Sequence, residues 1–263
     1  MSGAASEAPR RAFAVNWPAR LGWIALGLYS VYAATLLDLT WGRFVDGLGH
    51  GGRFIARMFP PDVSKLDLLW RGLSESIEIS IIATAIGIAL ALPVGLLAAR
   101  NLMPPWVTWL ARGLIALCRS FHPVIVAILF VKAVGFGALA GILALVIASV
   151  GFISKLFAEA IEEISLKQVE AVRATGASFS NVLTFGVLPQ VLSRFIGFAT
   201  YQLDSNLRNS TMVGIVGGGG IGGTLFTAFQ RFDYDFVLTI LIAIISLIMA
   251  GEIAAGWIRK TFQ

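Results

Sequence analysis

The sequence predicts an all-α, polytopic membrane protein with about six transmembrane helices. Three observations carry that prediction. First, 57% of the 263 residues are hydrophobic and only 13% are charged, with mean hydropathy +0.82. Soluble domains run about 45–50% apolar and about 25% charged. A water-soluble globule of this size could not hide so much apolar surface, and disorder is excluded by the same figures. Second, apolar runs of roughly 20 residues recur, the length that crosses a core of about 30 Å at about 1.5 Å per residue. Third, the charges gather in a few short segments.

Residues 1–20 form a polar, small-residue tail with Arg10, Arg11 and Arg20. The rest, 21–263, reads as one transmembrane domain. Its first span covers residues 21–39. At about 19 residues it exceeds the usual 7–15 of a signal-peptide core, so a retained helix is expected. From Trp41 onward, Phe44, Leu48, Ile55, Met58 and Phe59 recur at helical spacing until Pro60 and Pro61 stop the helix. That segment suits an interfacial helix followed by a turn, on the outer side or re-entrant.

The second span, 77–99, is the clearest. It ends at Arg100 and Asn101, and Pro104–Pro105 mark a tight loop. The third, 106–132, opens with interfacial Trp106 and Trp109 and bends at Pro123. The fourth covers 135–153. Residues 154–181 are too polar to span, with Lys155, Glu159, Glu162, Glu163, Lys167, Glu170 and Arg173. They suit one or two amphipathic helices. A fifth span follows over 182–207. The stretch Asn209–Asp235 is Gly-rich and reads as a loop, and the sixth span covers 236–258.

Charge sets an orientation. With a cytoplasmic amino end, 12 of the 20 Lys and Arg fall on the inside. Five of the others lie between Arg43 and Arg71. The net charge of +5 and pI near 9.7 then reflect cytoplasmic loops rather than nucleic-acid binding. One cysteine, Cys118, allows no disulfide, and His50 and His122 stand alone, so no metal site is expected. No Ser/His/Asp, Cys/His or paired-carboxylate set suggests an enzyme.

Within the polar loop stands EAVRATGAS, Glu170 to Ser178, followed by FGVLPQV, Phe185 to Val191. The bland reading is a helix lying on the bilayer. The spacing, however, resembles the EAA loop of permease subunits in binding-protein-dependent ABC importers. Glu170 offers charge to a partner, Ala171 and Ala174 permit close approach, and Gly176 turns the chain. Val172 stands where the family has a second Ala, and Pro189 suits the first turn of the next helix. PPD at 60–62, LAARN at 97–101, VGFGALAGILAL at 134–145 and SNLRNSTMVGIVGGGGIG at 205–222 are similar to the phosphonate-import permease family. The resemblance covers about three-quarters of the chain, from Pro60 onward. Asp204, where the family often has Glu, and Gly218, where it often has Ala, depart from the pattern.

The resemblance implies a type I ABC importer permease core in the bacterial inner membrane, with both chain ends cytoplasmic. It implies two copies of this chain, two ATP-binding subunits and an extracytoplasmic solute-binding protein. Phosphonate, or the related phosphate or phosphite, would be the cargo. The chain itself has no GxxxxGK[ST] loop, so ATP and Mg belong to the partner subunits and no cofactor is expected here. Intramembrane polar residues mark a candidate pathway. Asp204 and Arg208 lie four apart and share a helix face. They form either a structural ion pair or, with Asn206, Asn209, Ser210 and Thr211, a passage for an oxyanion. Gly217, Gly218, Gly219 and Gly220 form an external turn and a candidate gate. The alternative from another class is an ion- or proton-coupled secondary transporter of a small anion. No inverted repeat supports it.

Overall fold

The structure is a computed structural model that describes residues 16–37 and 40–262. Residues 1–15 of the expected tail, and residues 38–39 at the end of the first expected span, lie outside the described residues. The described residues form helices joined by short turns, with no strand among them. Contacts divide the chain at residue 57, and the expected domain 21–263 spans both units.

The first unit contains α1 (Trp17–Leu36) and α2 (Trp41–Ala56). Asn16 caps α1 by accepting from the Ala19 N–H at 3.4 Å, and Pro18 sits in its first turn. Neither helix buries a residue. α2 is amphipathic, as its spacing predicts, and exposes Trp41, Phe44, Val45, Leu48 and Ile55.

The second unit is the bundle. It comprises α3 (Leu66–Ala98), α4 (Pro105–Ser120), α5 (Pro123–Val134), α6 (Ala138–Glu162), α7 (Leu166–Ala174), α8 (Phe179–Asn181), a π-helical turn (Val182–Val187), α9 (Leu188–Ile215), α10 (Ile221–Gln230) and α11 (Tyr234–Phe262). Four helical stretches are long and apolar enough to span by themselves: α3, α6, the continuous run Phe179–Ile215, and Tyr234–Trp257 of α11. Counting each of two bent pairs as one span brings the number to 6.

The structure corrects several boundaries. The expected second span, 77–99, belongs to a longer helix that starts at Leu66. The expected third span, 106–132, is two helices, α4 and α5, bent by 87°. Pro123 starts α5, and the His122 ring nitrogen caps it by accepting from the Val124 N–H at 3.3 Å. The expected fourth span, 135–153, runs on to Glu162, so the polar loop starts at residue 163 rather than 154. Lys155, Glu159 and Glu162 keep partly outward while Ile153, Phe157, Ala158 and Ile161 stay buried, so one apolar face continues through the charged stretch. The expected fifth span, 182–207, runs from 179 to 215. Finally, the Gly-rich 209–235 is not a loop: α9 occupies its start and α10 its second half.

α3 and α6 form the centre. Their contact is lined with small residues, among them Ala83, Gly87, Ala91, Ala144, Ser149 and Ser154. A side-chain carbon placed on Gly87 would lie 2.4 Å from Ser149 Cβ, so the backbones nearly touch. In lipid, where tails are as apolar as leucine, such close packing supplies the attraction between helices.

Candidate functional site

Three polar features stand apart from the apolar bundle. The first is the segment around α7. Val169 is buried, at 2% exposure, beside Ile161, Val182 and Val187. Gly186 in the π-helical turn leaves room for it, since a side-chain carbon there would sit 3.4 Å from Val169 Cα. Gln190 pins the entry to α7. It accepts from the Ser165 N–H at 2.9 Å and donates to the Gly186 carbonyl at 2.6 Å. Gly176 closes α7 with φ +78°, a conformation that L side chains rarely adopt. The outcome is a short helix fastened by one edge. Glu170, Ala171, Arg173 and Ala174 face outward, Val172 is half-buried, and Pro189 lies in the first turn of α9. Of the six residues of the EAA-like pattern, five are exposed and Val172 is half-buried.

An ion-pair cluster that the sequence did not reveal supports this end. Glu162 Oε1 accepts from the Arg100 backbone N–H at 2.7 Å and from Arg112 at 2.8 Å. Arg112 Nε also donates to the Ala98 carbonyl at 3.1 Å, and Asn101 donates to the Ile161 carbonyl at 2.7 Å. These bonds join the carboxyl ends of α3 and α6 to the middle of α4, next to α7. Arg194 adds a pair with Glu163 at 2.5 Å.

The second feature is the polar stretch of α9. Asp204 and Arg208 are ion-paired, and the Arg208 side chain is 41% exposed against 10% for Asp204. Asp204 Oδ1 has no hydrogen-bond partner. Asp204 lines a cleft of about 290 Å³ between α3, α9 and α11, with Ser80, Thr200 and Leu207. Asn206 does not join it. Asn206 is fully buried and donates to Thr84 Oγ1 and Ser149 Oγ, both at 2.9 Å, while accepting from Gln202 at 3.0 Å. Ser210 is likewise buried and donates to the Leu207 carbonyl at 2.8 Å. Asn209 donates to Ser205 at 3.3 Å, and Thr211 is half-buried. The six pathway candidates thus divide between an inward lock and a partly open edge. Thr84, Ser149 and Gln202, absent from the sequence reading, complete the lock. The available signal was the four-residue spacing of Ser76, Ser80 and Thr84, matched by Gln202 and Asn206.

The third feature is the turn Gly217–Gly220, with φ of +97°, +79° and +77° at Gly217, Gly219 and Gly220. Its backbone is engaged. Gly217 donates to the Gly214 carbonyl at 3.0 Å, Gly218 to the Val213 carbonyl at 3.0 Å, and Ile221 to Ser76 Oγ at 2.9 Å. The Gly217 carbonyl accepts from the Gly137 N–H at 2.9 Å. It is a packed corner between α3, α6 and α9 rather than an open loop. Nearby, Lys65 is ion-paired with Asp233, which holds its ammonium above the usual lysine range. Asp62 accepts from Ser64, which lowers its carboxyl below the usual range.

A family profile described as the inner membrane component of binding-protein-dependent transport systems matches residues 91–263. The chain belongs to this family. Inner membrane components of this kind are multi-pass permease subunits, and that membership displaces the secondary-transporter alternative. Among its relatives, the phosphate-import permease protein PhnE of Mycolicibacterium smegmatis is 42% identical over 206 residues, 78% of this chain and 39% of that protein. The phosphite transport system permease protein PtxC of Stutzerimonas stutzeri is 39% identical, covering 96% of this chain and 93% of that protein. The inward-facing MetNI methionine ABC transporter shares the fold, with a TM-score of 0.68 at 24% identity over 77% of this chain and 99% of that one.

Proposed function

We propose that this chain is the permease of an ATP-driven importer of phosphorus oxyanions, phosphonate or the related phosphate and phosphite. The observation that carries it is α7: a short helix held by one edge, presenting Glu170, Ala171 and Ala174 outward at a bundle end braced by Glu162. The names of the relatives support the cargo class.

In this reading two copies form the pore and α7 of each is cytoplasmic. Two ATP-binding subunits dock there, and a solute-binding protein delivers the anion from outside. Closure of the ATPases on ATP moves α7 and opens the bundle outward. Hydrolysis in those subunits, where ATP and Mg reside, returns it inward. This chain contributes no ATPase chemistry. Arg208, on the open edge of α9, meets the anion, and Asp204 limits how tightly it is held, because a pathway must release its cargo. The turn Gly217–Gly220 forms part of the outer gate.

The test is uptake by proteoliposomes with the ATPase and binding-protein partners. Glu170→Ala is expected to lower oxyanion uptake and ATPase co-purification together by about tenfold, the scale of one lost charge-assisted contact. Unchanged uptake and co-purification would sink the coupling role.

A further inference from the structure

We infer that a basic groove on α4, outside the α7 and α9 features, is a binding site for a phosphate-type oxyanion. Residues Thr108, Arg112, Ile115 and Arg119 recur at helical spacing and so share one face of α4. They open onto two adjoining clefts. One, about 160 Å³, is lined by Arg112, Arg119, Lys155 and Glu159 among alanines and Ile115. The other, about 350 Å³, is lined by Arg100, Arg112, Thr108 and Trp109. Arg112 belongs to both.

Charge makes the groove a receptor for anions. Four cations line it. Two carboxylates oppose them: Glu162 takes one Arg112 nitrogen at 2.8 Å, and Glu159 faces Lys155 at 3.5 Å. Among the described residues the side chains of Arg100 and Arg119 make no ion pair. Arg112 spends Nε on the Ala98 carbonyl and a second nitrogen on Glu162, leaving donors of its five unspent. Lys155 likewise keeps donors beyond Glu159. The net charge is positive, the walls are apolar, and guanidinium forks match a tetrahedral oxyanion in two-point contact.

Position limits the source. Glu162 joins this groove to the α7 end of the bundle, and Arg119 lies two turns, about 10 Å, along α4 from Arg112. Exposed Trp106 and Trp109 stand beside it, with Leu110, Leu114 and Leu117 on the adjoining face. That is the setting of a lipid headgroup phosphate, and equally of a free oxyanion from the adjoining water. The shared chemistry is a phosphorus oxyanion held by Arg112, Arg119 and Lys155.

The inference rests on this groove and not on the transport reading, and binding without ATP or partners tests it separately. The full chain is placed in phosphatidylcholine nanodiscs and titrated with radiolabelled inorganic phosphate. In parallel, the chain purified in phosphatidylglycerol is scored by native mass spectrometry for retained lipid. Saturable binding is expected in at least one arm. Phosphate binding identifies a free-anion site, and retained phosphatidylglycerol identifies a headgroup site. Arg119→Gln, at an exposed position, is expected to weaken the positive arm by about tenfold, and Arg119→Gln with Lys155→Gln by more. Arg231→Gln, at the carboxyl end of α10 and outside both clefts, should leave it unchanged. No saturable binding in either arm, or binding that Arg119→Gln leaves at the wild-type level, overturns the site.

Discussion

α7 and the Gln202–Asn206 stretch of α9 are both polar, and they use polarity in opposite directions. α7 is fixed through one apolar edge, Val169 and Val172, and turns its charges to the outside. The α9 stretch turns its amides inward, where Thr84 and Ser149 satisfy them. The difference teaches what a polar residue means in a membrane chain. With partners of its own it locks helices together. Without them it is left available for something that arrives later.

The sharpest way to break the inward side is steric. A side-chain carbon on Gly222 would sit 1.8 Å from the Thr211 carbonyl, with no flexible atom to yield. Gly222→Val is expected to cost about 3 kcal/mol or more, read as lost thermal stability in detergent. A wild-type melting curve would show that α9 and α10 are not clamped as described. The next effect tests the lock itself. Asn206→Leu keeps the number of side-chain heavy atoms but removes the three hydrogen bonds to Gln202, Thr84 and Ser149, leaving Gln202 with Ser149 alone. A loss of about 1–2 kcal/mol is expected by the same measurement, at the upper end of interhelical hydrogen bonds in membranes.

The outward side should respond in the contrary way. Glu170→Ala is expected to change stability by less than about 0.5 kcal/mol, while coupling is lost. A large stability loss would make Glu170 a structural residue and erase the contrast. The smallest effect lies before α3. Ser64 holds the Asp62 carboxyl below its ordinary value. Its contribution is therefore present above about pH 4, the unfolded value, and lost as pH falls through the depressed folded value. Protection of the Ser64 amide, taken against its intrinsic exchange rate at each pH, should fall as the pH drops through the depressed Asp62 value. Protection that stays constant down to full protonation of Asp62 would remove that bond.

Much of this was legible from residues alone. Long apolar runs announced α3, α6 and α11, because a span must be apolar whatever surrounds it. The exposed edge of α7 was legible too, since Glu170, Ala171 and Gly176 follow a local pattern. What was not legible is relational. Asn206 meets Thr84 across 122 positions, and nothing near Asn206 announces that partner. Polarity alone therefore suggested a passage where the structure has a lock. The end of α6 was misread for a related reason. Lys155 and Glu159 looked like a loop, although Phe157 and Ile161 between them continue the buried face. The glycines after residue 209 looked flexible, yet several of them are small because neighbouring backbone leaves no space.

The contact between α3 and α6 has a mechanical consequence. Gly87 against Ser149, and Gly95 against the Ser154 carbonyl, bring the two backbones close together, and the Phe157 ring fills the space over Gly95. Two surfaces that meet backbone to backbone have few alternative registers, so the pair behaves as a spar. Load applied at the Glu162 end must travel its full length instead of dissipating within it. Bending is then confined to the joint the sequence provides elsewhere, the 87° break between α4 and α5.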